Sequence, residues 1–341
     1  MQRLALYLKN ILSRPATIGC TLLFIGTIIG WESRALWSTP DDQGIDTTAF
    51  REGHNTASFI NPLLLCDASE KKEFSEFAPI EEKITKLIDQ KISEDAASRV
   101  AVYFRDLNEG RWVGINEDET FSPASLLKVP IMISYFKLAE STPEILEKKI
   151  LYKEGEDLNA KEDIPPKQPI KSGAIYSVTD LIRAMIIDSD NNAALVLFDI
   201  LDRNSFREVG SDLGITIPEV AQSPEAMSAK TYARFFRILY NSSYLSRAMS
   251  EQTLKLMSQA TFTQGLAAGV PDTVPVAHKF GERTVRYNGA VNSRELHDCG
   301  IVYHPHRPYL LCIMTSGKDF QGLRDTIQAI STLTYQEVNA L

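Results

Sequence analysis

Ser125-Leu126-Leu127-Lys128 places a hydroxyl and an amine three residues apart, at the head of an apolar stretch that reads as a buried helix from Ser125 to Leu138. Positions i and i+3 share a helix face, so the Lys128 amine can reach the Ser125 hydroxyl. A serine hydroxyl is inert until a base takes its proton. A lysine serves as that base when desolvation and neighbouring positive charge lower its pKa. The helix start adds backbone N–H groups and a partial positive charge. S-x-x-K alone is common by chance, as a helix start followed by a surface lysine. Here Lys128 is flanked by Leu126, Leu127, Val129, Ile131 and Met132, which is no setting for a solvated side chain. Pro130 sits awkwardly in a helix that begins at Ser125.

Ser189-Asp190-Asn191 follows SVTDLIRAMII and precedes AALVLF. Its plain reading is an inter-helix turn, for which all three residue types are favoured. Read chemically, Ser189 is a second hydroxyl that can pass a proton to a leaving nitrogen, and Asn191 an amide to hold a substrate amide. Lys279-Phe280-Gly281 lies late in the chain on a predicted strand. Lys279 offers a charge for a carboxylate, and Gly281 permits close approach of a substrate backbone. The plain alternative is an edge-strand lysine.

In chain order the three motifs resemble the signature of the penicillin-recognising serine hydrolases, the class A β-lactamases and D,D-peptidases. The resemblance runs from about Ile80 to Leu341. It implies that Ser125 is the acylated nucleophile, Lys128 its base or base partner, and Ser189 the proton relay. It also implies that Asn191 and Lys279 bind substrate, with Gly281 beside them, and that the backbone N–H groups of Ser125 and Glu282 form the oxyanion hole. No cofactor or metal is implied. The substrates would be β-lactams or D-Ala-D-Ala-type amides of peptidoglycan stem peptides, handled by a monomeric catalytic domain.

Two departures stand out. The family has Thr or Ser where this chain has Phe280, so the hydroxyl that helps hold a β-lactam carboxylate is missing; Arg283, Thr284 and Arg294 are possible substitutes. The E-x-x-L-N motif, whose glutamate activates the deacylating water, is absent from the interval DRNSFREVGSDLGITIPEVAQ. Glu219 is the nearest replacement, Glu208 being expected in a helix. Acylation is therefore expected, with slow or absent turnover. A penicillin-binding, D,D-carboxypeptidase-like protein or cell-wall sensor is the alternative, and a scaffold without chemistry a third.

The elements that must position these groups can be read from periodicity. IEEKITKLIDQKI carries Ile80, Ile84, Leu87, Ile88 and Ile92 at helical spacing. RVAVYFRDL and RWVGIN flank Asn108-Glu109-Gly110 as a β-hairpin. SVTDLIRAMII is a helix with Ser177 as N-cap and Asp180 completing a capping box. MSAKTYARFFRILY is another helix, and FQGLRDTIQAISTLTYQEV closes the chain as a third. Between the last two lie the β runs VAHKF, ELHDCGIVY and YLLCIMT. The prediction is an α+β fold: one antiparallel sheet built from both chain ends with flanking helices, plus an inserted all-helical lobe.

Residues 1–31 are expected to form a membrane anchor or signal segment, 32–78 a linker, and 79–341 the hydrolase domain. Pro15–Trp31 is free of charge, follows Arg3, Lys9 and Arg14, and precedes Glu32. That order orients a single span with the N-terminus in the cytoplasm and the rest of the chain outside. A cleaved signal has the same order, but no small-x-small site closes the run, so an uncleaved anchor is expected. The chain of 341 residues carries a net charge of −8, of which the first 30 residues contribute +3. An acidic body argues against a nucleic-acid partner. Five histidines, with only His304 and His306 close together, do not read as a metal centre. Cys299 and Cys312 fall in two β runs whose register decides whether they face each other; reduced core cysteines are expected.

Overall fold

In the computed structural model, residues 58–62, 77–153, 155–218 and 226–341 are described. Pro15–Trp31 and Glu219 lie outside them. No helix among the described residues is long and apolar enough to cross a membrane.

The chain runs α1 (Ala78–Ser93), β1 (Arg99–Asp106), β2 (Trp112–Ile115), β3 (Thr120–Phe121) and a 3-10 turn, Ala124–Leu127. It continues through α2 (Lys128–Ala139), β4 (Lys149–Leu151), β5 (Ile175–Ser177), α3 (Val178–Ile187), α4 (Asn191–Ile200) and α5 (Arg203–Leu213). β6 (Met227–Ser228), α6 (Ala229–Tyr240) and α7 (Arg247–Met257) follow, then β7 (Val276–Tyr287), β8 (Ala290–Val302), β9 (Tyr309–Gly317) and α8 (Phe320–Ala340). Five strands form an antiparallel sheet in the order β2-β1-β9-β8-β7, so the two chain ends meet in one sheet as expected.

β1 is buried along nearly its whole length because both faces of the sheet are covered. Its alternation divides the core. Val100, Val102 and Phe104 pack with Ile80, Ile84 and Ile88 of α1 and Leu323, Ile327 and Ile330 of α8. Ala101 and Tyr103 join Met132, Leu181 and Phe235 on the helical-lobe side. Ile92, expected on the buried face of α1, is exposed where the helix runs out.

The expected capping box is formed, with Ser177 and Asp180 each accepting from the other's backbone. Pro130 causes no kink, because α2 begins at Lys128 and not at Ser125. The proline thus falls in the first turn, where its missing N–H is not needed.

One expectation is corrected. The β8–β9 register places Cys299 directly opposite Cys312, and they are joined as a disulfide rather than reduced. Within the interval 32–78, residues 58–61 are bonded to the domain. The N–H groups of Ser58, Phe59 and Ile60 donate to the Glu251 carboxylate on α7 at 2.9, 2.8 and 3.1 Å. Asn61 N donates to Tyr240 O, Tyr303 donates its hydroxyl to Phe59 O, and the Phe59 and Tyr303 rings meet edge to face.

Candidate active site

Ser125 lies in the 3-10 turn ahead of α2, one residue after Ala124, whose φ of 47° is in the left-handed region. A non-glycine residue there stores strain that surrounding contacts must hold. Those contacts are visible. Tyr232 on α6 donates to Leu126 O at 3.0 Å, and His297 on β8 bonds Ser122 O at 3.0 Å. Burial lowers the His297 pKa to about 4, so the ring is neutral; its other nitrogen faces Thr315 N.

Gly281 on β7 completes the clamp. A Cβ there would meet Leu126 Cγ and Pro123 O at 3.1 Å and Leu126 N at 3.2 Å. The glycine admits the turn that carries Ser125. Gly281→Ala is expected to push β7 and the turn apart by a few tenths of an ångström. Acylation at Ser125 should slow roughly tenfold, given how steeply rate falls with misplacement of reacting groups. Rapid-quench intact mass would measure it.

Lys128, Ser189, Asn191 and Lys279 are brought into one buried network. Lys128 Nζ donates to Ser189 O at 2.6 Å, Ser189 Oγ at 3.0 Å and Asn191 Oδ1 at 2.6 Å. Lys279 Nζ donates to Ser189 Oγ at 2.8 Å and to Phe280 O at 2.8 Å. One hydroxyl therefore bridges two amines. Burial lowers the Lys128 pKa to about 8, against the opposing pull of Glu162, Asp190 and Glu282. Burial also drives Lys279 well below its ordinary value, helped by the Lys128 charge. Ser189 itself has φ 61°, a second strained residue at the site.

The turn around Ser189 is fixed by groups that the motif reading missed. Asp190, fully buried, caps α4 by accepting from Ala193 N at 2.9 Å. It also accepts from Asn159 Nδ2 at 3.2 Å and Ile170 N at 2.8 Å. Asn159 Oδ1 accepts from Asn191 N, and Asn192 bonds Leu158 N and Asp157. The loop around 157–170 is thereby tied to the head of α4. It delivers Glu162, which accepts from Asn191 Nδ2 at 2.7 Å.

Phe280 does not line the cleft. It stacks on Phe262 at 4.2 Å, within the cluster on the α1/α8 side of the sheet. It neither replaces the missing hydroxyl nor obstructs a ligand. Arg283 and Thr284 line the cavity that holds Ser125, whereas Arg294 donates to Lys318 O and is not among the lining residues. The cavity has a volume of about 680 Å³ and includes Lys128, Asn191, Glu162, Asp163 and Glu282. Glu282 accepts from Ile164 N at 2.6 Å and Asp163 from Thr284 Oγ1 at 2.7 Å, so the Glu162 loop is pinned across the cleft to β7. Burial, with Glu162 and Asp163 close by, raises the Glu282 pKa to about 8. No group of three or more His, Cys, Asp or Glu side chains able to hold a metal occurs among the described residues.

Comparison with known proteins gives this geometry a context. The model of the beta-lactamase enzyme family matches residues 79–338. Beta-lactamase L2 of Stenotrophomonas maltophilia is 31% identical over 150 residues, 44% of this chain and 48% of that protein, so the chain spans about half the length of this relative. A beta-lactamase of Streptomyces albus G is 25% identical over 248 residues, covering 67% of this chain and 76% of that one. Among solved structures, a beta-lactamase from Chitinophaga pinensis superposes with a TM-score of 0.64 at 20% identity, covering 76% of this chain and all of the other. A variant of PBP-A in an acyl-enzyme complex with penicillin G gives 0.63 at 20% identity, covering 77% and 97%. At such identity the structures speak for the fold. The family match over most of the chain says more: this protein belongs to the beta-lactamase enzyme family.

Proposed function

We propose that the protein is an acyl-transferring hydrolase whose Ser125 is acylated by β-lactams or D-Ala-D-Ala-type amides, and that it releases the acyl group slowly. The observation that carries this reading is the Ser189 hydroxyl held between the Lys128 and Lys279 amines beside the Ser125 turn. Neutral Lys128 takes the Ser125 proton as Oγ attacks the carbonyl carbon, and Ser189 returns a proton to the departing nitrogen. Lys279 supplies positive charge near the relay, and Asn191 orients the substrate amide. The N–H groups of Ser125 and Glu282 take the developing oxyanion.

Slow release is supported by the state of the cavity's carboxyls. A base that activates water must be charged and free to accept a proton. Glu282 is kept largely protonated at neutral pH, and Glu162 and Asp163 each already accept one hydrogen bond, from Asn191 and Thr284. The protein would then behave as a penicillin-binding, D,D-peptidase-like member of its family. We place it on the outer side of the cytoplasmic membrane, held by Pro15–Trp31. The Cys299–Cys312 disulfide supports that side, because such bonds persist in oxidising compartments.

Intact mass followed over time after adding benzylpenicillin tests the reading. The expected result is a single long-lived adduct on Ser125, absent in Ser125→Ala. Penicillin consumed with no lasting adduct would instead indicate efficient turnover, and Glu219 would become the residue to replace. An unaltered protein with intact penicillin would overturn the assignment of substrate.

A further inference from the structure

Where α6 packs against β1, a small pocket opens that shares no lining residue with the cavity of Ser125. Its walls are cationic. Lys230, Arg234 and Arg237 stand at i, i+4 and i+7 of α6, so one face of the helix presents all three. From the sheet comes Arg105, two residues after Tyr103 on the same face of β1 and in register with Trp112 of β2. Only 7% of Arg105 is exposed, and its guanidinium lies 3.4 Å from the Tyr103 hydroxyl. The Tyr103 and Trp112 rings, 5.5 Å apart, form the apolar side, and Lys230 Nζ sits 4.8 Å from the centre of the Trp112 ring. Ala233 adds little bulk between Lys230 and Arg234, and the enclosed volume is about 60 Å³.

Four cations around so small a space repel one another, and no acidic side chain among the described residues lines it. Lys230 is balanced by Asp118 and Glu117 at 3.1 and 3.4 Å, neither of which lines the pocket. Arg105 and Arg237 are held by contacts of their own, whereas nothing among the described residues pairs with Arg234. The cluster also runs against the chain's net charge of −8. A single water needs about 10–15 Å³ of such volume, so the pocket takes roughly four to six heavy atoms, the size of a tetrahedral oxyanion. Guanidinium forks arriving from a helix and from a strand can each engage a different pair of phosphate oxygens, with Lys230 adding a point charge. A carboxylate has two oxygens and would answer one fork only. We infer that this pocket binds a phosphoryl group, as the free dianion or as the headgroup of an anionic lipid.

The test is calorimetric titration of the full chain in detergent with inorganic phosphate, the ionic strength held constant with chloride, and with acetate alongside. The expected result is saturable phosphate binding that weakens roughly tenfold or more in Arg234→Gln, as for a lost hydrogen bond to a charged group. Arg234→Lys, which keeps the charge without the fork, should restore part of the affinity. Arg234 is half-buried on the helix surface, so its replacement leaves the buried Arg105 and the fold in place. Arg183→Gln on α3, outside the pocket, should leave the affinity unchanged. Glycerophosphoglycerol, the soluble headgroup of phosphatidylglycerol, separates the two sources: tighter binding than phosphate gives the lipid headgroup, equal or weaker binding the free dianion. The absence of both a saturable heat and a phosphate-dependent rise in Tm would overturn the site. Acetate binding as tightly as phosphate would overturn the ligand class, and an equal loss in Arg183→Gln would reduce the effect to general charge and overturn the pocket.

Discussion

Lys128→Met is expected to slow acylation of Ser125 by about 10²–10⁴-fold, the usual worth of a positioned general base, while leaving the protein folded. Methionine fits the apolar surroundings of α2, and Ser189 Oγ keeps Lys279 as a partner. In the unsubstituted protein the acylation rate should rise about tenfold per pH unit up to about pH 8, then level. The sign follows from the role: the neutral amine is the base, and it becomes the major form only as pH passes the lowered pKa. At pH 7 about a tenth of molecules carry it. A pH-rate profile that kept its rise in Lys128→Met would assign the titration to another group, with Lys279 the first to consider.

Asp190→Ala should produce the largest loss of stability. The substitution removes the α4 cap and leaves three donors without their acceptor in a buried place: Ala193 N, Ile170 N and Asn159 Nδ2. Each such donor costs on the order of 1–3 kcal/mol, and a lost cap about 1. A loss of at least about 3 kcal/mol would lower Tm by roughly 6–12 °C for a domain of this size. Acylation should fall as well, because Asn191 and the Glu162 loop lose their common anchor. Calorimetry and adduct formation by the surviving folded fraction would separate the two effects. A Tm within 2 °C of the parent would show that water replaces the lost acceptor.

Much of the fold and half of the site were legible in the residues. Ser125, Lys128, Ser189, Asn191 and Lys279 could be found because each sits in a short motif at a helix or strand end, where type and spacing carry information. Lys128, Ser189, Asn191 and Lys279 meet in one buried network. Asn159, Asp157 and Glu162 were not legible. They belong to a polar, proline-containing loop without periodicity, and their partners lie about 30 residues away in sequence. Gly281 reports a close approach, but a glycine alone does not say what approaches. That Phe280 faces away from the cleft is not legible, because the strand face of Lys279-Phe280-Gly281 is not fixed by local pattern. The cysteine pairing failed on register, which no local pattern around Cys299 or Cys312 fixes.

The contact of Ser58, Phe59 and Ile60 with Glu251 changes the leash arithmetic of the whole protein. With Pro15–Trp31 in the bilayer as proposed, a free connection from Glu32 to Ala78 would let the body stray as far as about 160 Å at full extension. With Ser58 bonded to Glu251, the contour length of residues 32–57 is at most about 90 Å. The Glu251 carboxylate thus acts as a cleat on the rope. A cut anywhere before Ser58 would leave residues 58–61 still bonded to Glu251, Tyr240 and Tyr303.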